Sequence, residues 1–379
     1  MRSFLFLLLA FGILAAAGQT SSQNPTSDAD ELMRAGIAAQ QHGDNRTAIE
    51  DFRKVLAVRP KMAEAHAGLG AALAATGQLD AAIDEDTRAL ALAPEKSAAR
   101  MNVQMNLGLT YYKKKDFAHA REQFEAIHAE FPTDLEAAVK LGYVYIELDR
   151  EAEAAELLTP LERGHESNMD LEYALAFSLI QSGNVKDGLP RMEKVARVTH
   201  SASAWVIAGS THLHRGEMPA ARIDLDEAMK LDAKIPGLAT MAGQARYAML
   251  DMNASALAFQ AALREDPRDF NANLDLGAIR LKERDVADAR PLLELALELQ
   301  PTSPLARLEV AKLNEATGRY AEAAKGLEAL VKDEPNWMDA HWELAAAYIE
   351  LNRGEDGKRE RIIAQQLRFA QQKEEPEPK

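Results

Sequence analysis

The chain has no cysteine. Disulfides, thiolate metal sites and a cysteine nucleophile are excluded, as is a lipid anchor on a cysteine after an apolar leader. Aromatic residues are scarce, at 6% with three tryptophans. There are no long runs of β-branched residues, and Ala and Leu dominate, so the composition disfavours strand and favours helix. Positive charge is in deficit, with 44 Lys and Arg against 59 Asp and Glu and a net charge of −15. A general nucleic-acid binder needs a basic footprint, so no nucleic-acid partner is expected. Catalytic motifs are also missing: no GxxxxGK[ST] loop, no GxSxG elbow, no HExxH pair and no spaced calcium loop. His212 and His214 look like a metal pair, but two residues on a helix turn about 200° and point the rings apart. Acidic clusters such as Asp84-Glu85-Asp86 read as solvated helix faces. No enzymatic activity, metal site or cofactor is expected.

One long apolar run is present, and it stands at the start. Arg2 supplies a positive charge, Phe4 to Ala15 is apolar apart from Gly12, and Ala15-Ala16-Ala17-Gly18 offers small residues for cleavage. That is the pattern of a secretory signal peptide over residues 1–18. The alternative, an uncleaved anchor, is short for a span of about 20 residues. After cleavage no segment is apolar enough to cross a bilayer, which predicts an exported protein, periplasmic or secreted, that is not an integral membrane protein. Residues 19–28, polar with one proline, read as a flexible leader, with Asp28 or Asp30 opening the first helix. The tail, 369–379, reads as disordered.

Between these ends one phrase recurs. Leu69-Gly70, Leu107-Gly108, Leu141-Gly142, Leu175-Ala176, Ala208-Gly209, Ala242-Gly243, Leu276-Gly277, Val310-Ala311 and Leu344-Ala345 are spaced by about 34 residues. Each unit holds two amphipathic segments joined by a turn such as Gly43-Asp44-Asn45, Thr76-Gly77-Gln78 or Ser182-Gly183-Asn184. Many units end in proline, at Pro60, Pro94, Pro132, Pro267, Pro301 and Pro335, which stops a helix for want of an amide donor. Units begin near residues 29, 63, 101, 135, 169, 202, 236, 270, 304 and 338, an array over 29–368.

These residues closely resemble the tetratricopeptide repeat family. The third unit carries its pattern in Leu107, Gly108, Tyr111, Ala120, Phe124, Ile127 and Pro132. The first carries it in Ala35, Gly36, Ala39, Ala48, Phe52, Val55 and Pro60. The resemblance implies an all-α fold, a right-handed α-solenoid of about ten helix-turn-helix repeats. Departures are few: extra residues around Ala98 to Arg100 that lengthen a linker, Gly188 in place of alanine, Pro190 as a predicted kink, and a charged stretch from Lys358 to Arg361 that suits a terminal cap.

The resemblance also implies an inner wall lined by the first helix of each unit. The side chains falling there are Met105, Leu109, Tyr112, Val139, Tyr143, Ile146, Tyr173, Phe177, Ile180 and Val206, rimmed by Asn106 and Lys140. They form either an apolar groove for a protein or peptide segment or packing between neighbouring helices. A grip on a partner's terminal carboxylate is mostly absent, because Ala67, Ala71 and Glu136 stand where Lys and Asn are wanted. The leading expectation is an exported, non-enzymatic scaffold that binds a partner in the groove. A structural subunit with the groove unused, or a glycan-binding module, are the alternatives.

Overall fold

The computed structural model describes residues 25–374, so the predicted signal peptide (1–18) and residues 375–379 lie outside the described residues. The chain divides into two compact units, Met1–His165 and Glu166–Lys379, and among the described residues every regular element is an α-helix. The first unit contains α1 (Pro25–Gln41), α2 (Asn45–Val58), α3 (Ala63–Ala75), α4 (Leu79–Leu92), α5 (Ala98–Lys113), α6 (Phe117–Glu130), α7 (Leu135–Glu147) and α8 (Glu151–Glu162). The second contains α9 (Met169–Gln181), α10 (Val185–Thr199), α11 (Ala202–His214), α12 (Met218–Leu231), α13 (Leu238–Ala248), α14 (Met252–Glu265), α15 (Phe270–Lys282), α16 (Val286–Leu299), α17 (Pro304–Ala316), α18 (Tyr320–Asp333), α19 (Met338–Glu350) and α20 (Gly354–Glu374). Odd and even helices form hairpins, and within each unit each hairpin packs on the next.

The helix starts follow from capping. Asp134, Asn168, Ser201, Asp269 and Ser303 precede odd-numbered helices, and each side chain accepts the amide of the residue three positions on, satisfying one of the orphan donors of the first turn. Asp44, Asp116, Asp251 and Asp285 do the same for even-numbered helices. Proline does more than end a unit. The carbonyls of Pro60, Pro267 and Pro335 accept hydrogen bonds from His66, Asn273 and His341 in the following helix, at 3.0 to 3.1 Å.

The core is a repeated couple. The large residue at position twenty-four of a unit lies against the glycine or alanine at position eight. Phe52, Phe124, Leu158, Met192, Leu225, Phe259, Leu293 and Leu327 fill that slot with no exposed surface. A Cβ on Gly277 would stand 2.6 Å from Leu293 Cδ2, so the two helices approach as closely as they do because the side chain is missing.

Three expectations change. The residues at Ala98 to Arg100 do not lengthen a linker: they form the first turn of α5, which Ser97 caps through the Arg100 amide at 3.1 Å. Gly188 is required rather than a substitute, since a Cβ there would lie 2.9 Å from the Ala176 carbonyl oxygen of the facing helix. Helix also extends past both predicted ends, from Pro25, where a fixed φ suits a helical first residue, and on to Glu374, so 25–28 of the leader and 369–374 of the tail are helical.

The largest correction concerns Asp86. It occupies position twenty-four of the second unit, the slot held elsewhere by Phe or Leu, and it is fully buried against Gly70. Neither carboxylate oxygen has a hydrogen-bond partner among the described residues. Burial, then the neighbouring Glu85 charge, pushes its pKa up to about 8, because removing a carboxylate from water penalises the ionised form.

Candidate functional site

In the first unit, α5 and α7 bring four of the predicted groove residues together. Leu109, Tyr112, Lys140 and Tyr143, with Phe124 behind them, line one cavity of about 220 Å³. Leu109 is 39% exposed, one of the large apolar side chains left open to solvent. Tyr112 is fixed by an edge-to-face contact with Phe117, centroids 5.4 Å apart, and its hydroxyl donates to Glu147 at 3.1 Å. Burial and that acceptor push its pKa up to about 12, so it remains a neutral donor at any physiological pH. Asn106 and Leu109 also line a shallower hollow with Ala71, Ala74 and Lys113. Met105 packs on the core beneath, beside Phe124 and Leu141, and Ile146 is half-buried.

Val139 does not belong to this surface. It is 4% exposed, because it falls on the face of α7 that meets the neighbouring helices rather than the open one. An apolar hollow of about 250 Å³ is also found where the sequence looked plain, between Met33, Ile37, Phe52, Ala67, Gly68 and Asn102. The signal for it was Gly68, where a Cβ would stand 2.6 Å from the buried Phe52 ring, so only a missing side chain leaves room there.

In the second unit the predicted residues are half-buried. Tyr173 and Phe177 stack at 6.4 Å between centroids, and with Ile180, Trp205 and Ile207 they pack onto a core of Ala176, Met192, Val195 and Ala208. Burial raises the Tyr173 pKa. Val206 packs toward Leu225, Leu238 and Ala242. The alternative left open by the sequence, packing between helices, describes these residues better than an open groove.

Further along the second unit the corresponding wall turns acidic, which the repeat pattern did not single out. Asp275, Glu309 and Glu343 hold the same register position in α15, α17 and α19, with Glu315 near Glu343. Burial, outweighing a hydrogen bond from Gln244, raises Asp275 to about 6. Burial and then the Glu343 charge raise Glu315 to about 8. Lys312 pairs with Glu309 at 2.8 Å. Burial alone would lower its pKa, but Glu309 together with the Glu343 and Asp339 charges outweighs it and the pKa is raised.

A separate polar cluster sits on α10, α11 and α12. His212 Nδ1 meets Glu217 Oε2 at 2.7 Å, while Nε2 faces Glu193 Oε1 at 3.1 Å and Asp224 Oδ2 at 3.5 Å. His214 turns away and bonds the Ser210 carbonyl at 2.7 Å, so the two rings do part as the helical spacing requires.

Repetition of hairpins with position-eight glycines and position-twenty-four hydrophobes defines a helical repeat protein. A family model of the tetratricopeptide repeat matches residues 33–97, 105–161, 173–236 and 240–304, and a second matches 280–348. These matches cover well over half of the chain, which therefore belongs to the tetratricopeptide repeat family. Among curated proteins it is similar to human Superkiller complex protein 3, 32% identical over 99 residues, and to Arabidopsis thaliana TPR repeat-containing thioredoxin TTL4, 30% identical over 90 residues. The matched stretches span 26% and 24% of this chain but only 6% and 13% of those relatives. Similar solved structures include a tetratricopeptide repeat protein from Parabacteroides merdae (17% identity, 66% of this chain and 97% of that one, TM-score 0.49) and MamA from Desulfovibrio magneticus RS-1 (19%, 45% and 96%, TM-score 0.40). Among the described residues no helix is long and apolar enough to cross a membrane.

Proposed function

We propose that this protein is an exported, non-enzymatic scaffold of the cell envelope that holds a segment of a partner protein on the α5–α7 face. The observation that carries the reading is the cavity bounded by Leu109, Tyr112, Lys140 and Tyr143. It has apolar walls, an exposed leucine and one ammonium at its rim. Such a site takes one apolar side chain of the partner, and Lys140 meets a carbonyl or carboxylate beside it. Aromatic walls bury much area at little rotamer cost, so a few residues dominate binding. Export is supported by Arg2, the apolar run from Phe4 to Ala15 and the small residues ending at Gly18. A structural role is the second reading, and it is favoured for the second unit by the packing of Tyr173 and Phe177 on the core.

A photo-crosslinking side chain at position 109 tests the partner site, with one at the exposed Val58 as control. The expected result is a discrete protein adduct at 109 that Tyr143→Ala removes while leaving the melting temperature nearly unchanged. Equal adducts at both positions, or none at 109, would overturn the reading. For export, the mature N-terminus should be Gly18 or Gln19 by mass spectrometry. An intact Met1 on membrane-bound material would point to an anchor instead.

A further inference from the structure

In the second and tenth repeats, an acid at position twenty-three meets a histidine at position four of the same unit. His66 Nδ1 lies 2.6 Å from Glu85, and His341 Nδ1 lies 2.5 Å from Glu360. At position eleven a different residue reaches back to an acid of the preceding unit. The Tyr145 hydroxyl donates to Glu125 and the Tyr348 hydroxyl to Glu328. The sixth repeat breaks both habits. Its position four is Trp205, which has no basic nitrogen, so the acid at position twenty-three, Asp224, loses that partner. Its position eleven is His212 rather than tyrosine. Asp224 is 6% exposed, and its Oδ2 makes no hydrogen bond among the described residues. That oxygen is aimed at the same His212 nitrogen as Glu193.

The geometry points to a divalent transition-metal site, of the zinc class, formed by Glu193, His212 and Asp224. One ligand atom from each lies within 4.8 Å of the others. Around a tetrahedral zinc with bonds of about 2.0–2.2 Å, donor atoms stand roughly 3.3–3.5 Å apart. The 3.1 and 3.5 Å separations from His212 Nε2 are close to those of such a shell. Glu217 completes the arrangement from the other side. It lies 2.7 Å from Nδ1, so with the Nδ1 proton donated to Glu217 the Nε2 atom is the one presented to the two carboxylates and to a metal between them. In the metal-free protein a proton on Nε2 takes that place, donated to Glu193 at 3.1 Å, and a metal would displace it. Arg215 pairs with Glu217 at 2.9 Å and so belongs to the supporting shell. Arg197 reaches only 4.0 Å from the second oxygen of Glu193, and its side chain is 67% exposed. Glu193 is partly open to solvent, which leaves water for a fourth position. The ion would clip α10 to α11 and α12, the second helix of one repeat to both helices of the next.

Chelator-stripped full-length protein titrated with Co²⁺ tests this directly. One saturable equivalent should appear with tetrahedral visible absorption, and Zn²⁺ should displace it. His212→Ala and Asp224→Asn should each weaken binding at least tenfold, whereas His214→Ala should leave it unchanged. Glu193→Gln, at a half-open position, supplies a variant that folds even if the buried ones do not, and it too should weaken binding at least tenfold. Absence of a saturable cobalt spectrum in the parent protein would overturn the site. So would binding that survives in Glu193→Gln, or that is lost only in His214→Ala.

Discussion

Two repeats place different chemistry in the same slot. In the eighth repeat Leu293 fills the space opposite Gly277; in the second, Asp86 fills the space opposite Gly70. Both side chains are fully buried and the helix hairpins around them are alike. The leucine contributes the transfer free energy of an apolar side chain, of order 2 kcal/mol. The aspartate contributes nothing comparable and opposes folding whenever it is ionised. The repeat geometry therefore tolerates a carboxylate in its core, provided the neighbouring repeats supply the missing stability, as a stacked array can.

Forcing the eighth repeat to copy the second breaks the comparison most severely. Leu293→Asp should destabilise the protein by more than about 4 kcal/mol, in the range reserved for unpaired buried charges. Urea denaturation followed by circular dichroism reads it, and a loss under about 1 kcal/mol would mean that the slot is not apolar in solution.

The next effect is the pH dependence of Asp86. Its pKa rises from the ordinary 3.8 to about 8 on folding, so between those values the folded protein keeps a proton that the unfolded chain releases. The associated stability is complete below about pH 4 and is lost as pH climbs through 8. Relative to Asp86→Asn, the parent should weaken between pH 5 and pH 9 by a few kcal/mol, since each tenfold change in proton affinity on folding is worth about 1.4 kcal/mol. Parallel denaturation midpoints for the two proteins across that range would show the carboxylate to be solvated. A leucine at 86 should stabilise at neutral pH for the same reason.

A smaller change tests the other half of the couple. Gly277→Leu adds atoms where a Cβ already collides with Leu293, and overpacking of this kind costs about 1–3 kcal/mol. An unaltered melting curve would contradict the assigned register. The smallest effect belongs to Glu315, raised to about 8 by burial and by Glu343. Glu315→Gln should flatten the fall in stability between about pH 4.5 and 8 in the same direction as Asp86→Asn but by less, because Glu315 keeps part of its surface in water. A larger flattening than that of Asp86→Asn would reverse this ranking.

The recurrence of Leu-Gly phrases, turn glycines and terminal prolines marked ten repeat units, and the first helices of most of them begin within a residue or two of those unit starts. That is because a period of this kind reflects local requirements: a cap, a small residue at a crossing, a residue that cannot extend a helix. The same local logic predicted that His212 and His214 diverge. What it could not decide was which side of a helix meets a neighbour. Val139 and Leu109 are both apolar residues on first helices, yet one is buried and the other open, because their exposure is set by which face of the helix the adjacent helices cover. Asp86 read as a solvated residue among acids, and only the packing of α3 on α4 turned it inward. Asp224 and Glu193 belong to different repeats, so nothing in their spacing joins them to His212. Periodicity determined the repeated hairpin, because each hairpin is specified by its own residues. Exposure and the meeting of polar groups across repeats were decided by tertiary structure, because they depend on pairs of surfaces that no single repeat encodes.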